Sequence, residues 1–120
     1  MTENYEEKKE ALSVLSGFNT RLIGNMEIAA DELCGSRKDD TDQLVKSIAD
    51  AVNWEIQVLN STMDMINQDE EKLDKEAFNA GITGFADALR QGNDQAIADA
   101  IRGMLPQFRR LDEIVKELLR

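Results

Sequence analysis

Residues 94–119 read DQAIADAIRGMLPQFRRLDEIVKELL, and their apolar spacing decides the fold class. Ile97, Ile101, Met104, Phe108, Leu111, Val115 and Leu118 alternate at intervals of four and three, which puts them on one face of a helix. Asn93 stands at the N-cap position, directly after Gly92. Pro106 falls inside the run, but at 100° per residue it projects opposite Ile97 and Val115. The carbonyl that it leaves without a donor then meets water, so the spacing predicts a kink and not a break.

The pattern recurs three times upstream. Asn4 and Glu7 have capping-box spacing ahead of Leu12, Leu15, Leu22, Met26, Ala29 and Leu33, and Gly35 supplies a stop. Asp40 and Gln43 open a second run through Leu44, Ile48, Val52, Leu59, Met63 and Ile66. Asp74 opens a third, with Phe78, Ile82, Phe85 and Leu89 on one face and Gly92 at its end. The connections are short, which favours antiparallel neighbours. These signals predict one all-α domain over residues 1–120. Its architecture is an antiparallel four-helix bundle with helices near 4–34, 41–67, 74–91 and 94–119, the last kinked at Pro106.

Composition narrows the function classes. Hydrophobic residues make up 42% of the 120, aromatics only 5%, and there is one proline, a balance that suits helices better than sheets. The opening residues form no basic or apolar leader, and no apolar stretch approaches the ~20 residues needed to span a bilayer. A soluble cytoplasmic protein is expected. The single cysteine, Cys34, leaves no internal disulfide and is expected to be a buried, inert thiol at the apolar end of the first helix. The net charge of −10 argues against nucleic acid and anionic membrane as partners. The charge is concentrated: residues 1–76 carry 18 acids and 8 bases, whereas residues 77–120 carry 6 of each.

The chemistry of catalysis is sparse. With no histidine, His-based general bases, triads and His-ligated metal sites drop out. One cysteine cannot build a thiolate site. Asp39-Asp40-Thr41-Asp42 lacks the spacing and glycine of a calcium loop, and Gly81-Ile82-Thr83-Gly84 lies within a helix and is no phosphate loop. The expectation is therefore a non-enzyme with no cofactor and no metal.

Two polar residues fall on apolar faces. Asn19 lies in the middle of the face formed by Leu12, Leu15, Leu22, Ile23, Met26, Ala30 and Leu33. Glu55 lies near the centre of an unusually broad apolar arc running from Trp54 and Met65 round to Ile56. If the first two helices turn near Arg37, Asn19 and Glu55 stand level and would face each other inside the bundle. The main expectation is a polar pair that fixes hairpin register, with the Asn19 amide donating to the carboxylate. The alternatives are a carboxylate that contacts a ligand in a groove and a catalytic acid or base.

Other features suggest where a partner would sit. Ala77, Gly81, Gly84 and Ala88 line one flank of the third helix, as a close approach of another helix backbone would require. Trp54, Val58 and Met65 form the outer edge of the second helix, a candidate hydrophobic docking margin. The opposite face, Asn53, Gln57, Asn60, Asp64 and Asn67, is amide-rich and poor in lysine, a hint of a contact surface. The fourth helix is expected to overhang the third, exposing Leu111, Ile114, Val115, Leu118 and Leu119 as a second docking or homodimer face.

By elimination, the expected role is protein–protein interaction. The best match in kind is a small acidic adaptor or export-type chaperone that binds a client's amphipathic helix. In length, acidity and bundle form the chain is similar to flagellar and type III secretion chaperones, an analogy of form without a shared motif. An inhibitor or immunity-type protein that blocks a basic site, and a homodimeric structural bundle, are the alternatives.

Overall fold

Strong helix formers and 3–4 apolar spacing give four helices in the order α1 (Thr2–Leu33), α2 (Thr41–Ile66), α3 (Lys75–Gln91) and α4 (Asp94–Leu118). The computed structural model describes residues 2–68 and 70–119, with side chains from Tyr5 onward. No strand occurs among the described residues. The boundaries agree with the sequence reading to within two residues.

Most of the expected caps are present. The Asp74 and Asn93 carboxylate and amide oxygens accept from the backbone N–H groups of Ala77 and Ala96. Gly92 closes α3 in the left-handed region, at φ 67°, and its N–H donates to the Ala88 carbonyl. Two caps differ. The backbone of α1 is already helical at Thr2, before Asn4, so the expected N-cap lies inside the helix; the Asn4 side chain is outside the described residues. Asp40 occupies the cap position of α2 but makes no side-chain cap bond. Thr41 does the holding there. Its hydroxyl accepts from the Lys38 N–H at 2.8 Å and donates to Glu32 Oε1 at 2.7 Å, and both side chains are buried.

Three seams are closed by antiparallel packing. α1 lies against α2 on one side and α4 on the other, and α3 lies against α4. Lys8–Asp64, Phe18–Trp54 and Glu32–Thr41 mark the α1/α2 register; Asn19–Phe108 and Glu27–Arg109 mark α1/α4. Phe78 and Phe108, with ring centroids 4.9 Å apart, mark α3/α4. At 1.5 Å per residue the 32 residues of α1 span about 48 Å, close to the long dimension of the molecule, 49 Å. α1 is the spine.

That length overturns one expectation. The end of α4 does not overhang: Leu111, Ile114 and Val115 are fully buried, and Leu118 and Leu119 are half-buried. The first half of α1 covers what the shorter α3 cannot. Pro106 does face solvent, as does Arg102, whose carbonyl loses its donor, and the helix runs through without a break.

The glycines of α3 divide. A Cβ on Gly81 would meet Met104 Cγ at 3.4 Å, so α4 does come close there, whereas nothing lies within 4 Å of one on Gly84. Accordingly, Gly84→Ala should raise stability by about 0.5–1 kcal/mol through helix propensity. Gly81→Ala should gain less, because Met104 must give way. Urea unfolding midpoints of the two variants check this.

Candidate functional site

The fourth seam, between α2 and α3, is not closed. α2 and α3 lack the close backbone approach of the other neighbouring pairs, and a groove runs between them. It comprises three hollows of about 190, 280 and 360 Å³. Leu59, Phe78 and Phe85 form its floor; Ile56, Met63, Ile82 and Leu89 form half-buried walls. Asn53, Asn60 and Asn79 stand exposed on its lips. Among the charged side chains lining it, Asp42, Asp50 and Asp94 balance Arg37, Lys46 and Lys75. The groove is neutral on a chain of charge −10.

Local structure holds the groove ends in place. Asn67 ends α2, and its side-chain oxygen accepts from the N–H groups of Lys72 and Leu73 while its amide donates to the Leu73 carbonyl. This laces the α2–α3 connection and buries Leu73. At the other end Arg37 forms two parallel hydrogen bonds, each 2.9 Å, to the Asp94 carboxylate and an ion pair with Asp42. Its guanidinium holds the Asp94 carboxyl below the usual carboxylate range.

The sequence-derived docking residues are dispersed. Trp54 is 37% exposed and packs on Phe18 with centroids 4.9 Å apart, at the α1/α2 seam and away from the groove. Val58 is half-buried, and Met65 is buried instead of lying on an outer edge. Leu111 and Ile114 are core, and Leu118 is half-buried against it. The α2 arc therefore exceeds one face because it meets α1 and the groove together. The amide-rich side of α2 was the signal for the groove, since Asn53 and Asn60 became its lip. Cys34 also departs from expectation: it follows the last residue of α1, is exposed, and accepts a hydrogen bond from Arg102 at 3.3 Å.

Asn19 and Glu55 are both completely buried, as expected, but they are not hydrogen-bonded to each other. The Asn19 amide donates instead to the Phe108 carbonyl at 3.0 Å. Asn19 Oδ1 and both Glu55 carboxylate oxygens find no partner among the described residues. Burial pushes the Glu55 carboxyl up to about 8 from 4.5, with the nearby Asp112 charge adding to the effect. Glu55 is thus protonated at neutral pH. The one charged group acting on it among the described residues is the Asp112 carboxylate, and no cluster among those residues holds three potential metal ligands.

This fold, an antiparallel helical bundle with one open seam, places the chain among small all-helical proteins. Residues 10–114 match the family described as Domain of unknown function (DUF8042), and the chain belongs to it. No curated protein and no solved structure matches the chain. No helix among the described residues is long and apolar enough to cross a membrane.

The Glu55 proton links stability to pH. The folded state keeps it up to about pH 8, whereas the unfolded chain releases it near 4.5. Stability from this residue is thus fully present below about pH 4.5 and is lost as pH rises to about 8. The loss is on the order of a few kcal/mol. Urea midpoints should fall between pH 5 and 8.5 in the wild type, and Glu55→Gln should flatten that dependence. Glu55→Leu should be at least as stable as wild type at pH 8; a large loss would show that the carboxyl makes favourable bonds inside the bundle.

Proposed function

We propose that the protein is a non-enzymatic interaction module of the cytoplasm, an acidic adaptor or export-type chaperone whose α2/α3 groove holds an amphipathic helix of a client protein. The single observation that carries this reading is the open apolar seam itself. In a bundle whose other three seams are closed, Ile56, Met63, Ile82 and Leu89 remain half-buried with room beside them.

The lining also specifies the occupant. α3 is 17 residues long, so the groove offers about 25 Å, enough for roughly four turns of helix. Its charges balance and its lips carry amides, so the facing side of the client is apolar, flanked by uncharged hydrogen-bonding groups. Such binding resists salt, because little of it is coulombic. The inhibitor-type alternative rests on the acid excess of residues 1–76 and requires the opposite salt response. A homodimer closed through α4 lacks a free apolar face, since Leu111 and Ile114 are spent on the core.

Photo-cross-linking in the native host tests the proposal. A benzoylphenylalanine at Asn53 or Asn79, on the groove lips, should capture a protein that one at Asn25, on the outside of α1, does not. With the captured client purified, Ile82→Glu should weaken binding at least tenfold, about 1.4 kcal/mol. Raising salt from 0.05 to about 0.5 M should change the affinity little. Capture from Asn25 alone, or binding that collapses with salt, would overturn the groove reading.

A further inference from the structure

The buried polar layer lies at the middle of the bundle, and its position on α2 gives it a consequence beyond stability. Glu55 is fully buried with both oxygens unpartnered among the described residues, and Asn19 Oδ1 on α1 is likewise buried and unpartnered among them. From α4 the charged group that acts on Glu55 is Asp112, which is half-buried and accepts from Thr20 Oγ1 and Lys116 Nζ. From α1 the polar group in this layer is the Asn19 amide, already committed to the Phe108 carbonyl. No cation from α1, α3 or α4 pairs with Glu55 among the described residues. An ionised Glu55 thus has a like charge beside it and no compensating donor.

The element free to relieve that charge is α2. α4 is packed along both α1 and α3, whereas α2 is closely packed along α1 alone, touches α4 slightly and leaves the groove open toward α3. The ends of α2 are tied by Thr41–Glu32, Arg37–Asp42 and Lys8–Asp64. Its middle, where Glu55 sits, has no such polar tie among the described residues and is held to α1 by apolar packing that includes Phe18–Trp54. One turn either side of Glu55 are Ala51, Val52, Val58 and Leu59, and of these Val52 and Leu59, with the adjacent Ile56, line the groove.

We propose that the proton on Glu55 is a switch that sets the position of the middle of α2, and with it the width of the α2/α3 groove. Protonated, Glu55 is a neutral group that lets α2 seat on α1 and α4. Deprotonated, it draws the middle of α2 toward solvent, and the wall carrying Ile56 moves with it. The proton leaves to bulk water, and the change is reversible. That the switch controls client binding rests on the groove reading above; the movement of α2 does not.

Spin labels across the groove test the movement without a client. Asn53→Cys and Ala86→Cys in a Cys34→Ser background place labels on exposed positions of opposite walls. Between pH 6 and 9 the double-labelled chain should develop a second, longer interlabel distance, with a midpoint on the alkaline side of neutrality. Trp54 emission, beside Glu55 and against Phe18, should shift over the same range. Glu55→Gln, which cannot ionise, should keep the pH 6 distance throughout. Asp112→Asn, which removes the like charge, should move the midpoint to lower pH. An unchanged distance in the wild type, or the same change in Glu55→Gln, overturns the switch. Neither result bears on the cross-linking pattern, so the two proposals fail separately.

Discussion

The apolar face of α1 is the constraint on which the rest of the structure depends. A helix of 32 residues carries a core stripe from Leu12 to Leu33 that must be removed from water along most of its length. No other helix matches it alone, so α1 is covered by α2 on one flank and α4 on the other. α4, held along α1 with Asn19–Phe108 and Glu27–Arg109 marking the seam, packs against α3 on another flank through Phe78 and Phe108. Burying the stripe thus orders three seams and leaves the fourth, between α2 and α3, without a helix pair to close it.

The open seam and the buried carboxyl are two results of how α2 is held. α2 is fastened at its ends by polar contacts and along its length mainly by α1. A helix held this way shows one apolar flank to a groove while keeping another in the core, which explains an apolar arc broader than a single face. Glu55 lies on the core side of that arc, where ionisation is opposed by burial and by Asp112, so the carboxyl takes up a proton at a cost in stability that grows with pH. The same arrangement sets the groove flank of α2, with Val52, Ile56 and Leu59, beside the face that carries Glu55.

The sequence already contained the helices and their caps because these depend on neighbours three or four residues apart. The spacing from Ile97 to Leu118, the stops at Gly35 and Gly92, and the N-caps Asp74 and Asn93 are local properties. Burial of Asn19 and Glu55 was legible for the same reason, since each lies among apolar residues on a wheel. Their partners were not. Asn19 turned to a carbonyl of α4, a residue 89 positions away, and not to Glu55. The candidate docking residues fared likewise: exposure depends on which helix arrives to cover a face, and α1 arrived over Leu111 and Ile114.

By itself, then, the sequence determined an all-helical antiparallel bundle, its register about Arg37, and the presence of two polar residues in its core. Tertiary structure alone decided which seam stayed open, that Cys34 is exposed, and that Glu55 lacks a partner. The physical reason is range. Helix formation and amphipathicity are written in contacts within a turn or two, but closure of a seam depends on the relative lengths and tilts of whole helices. In this chain the long α1 and the short α3 settled that closure, and they left the groove where the amides of α2 stand.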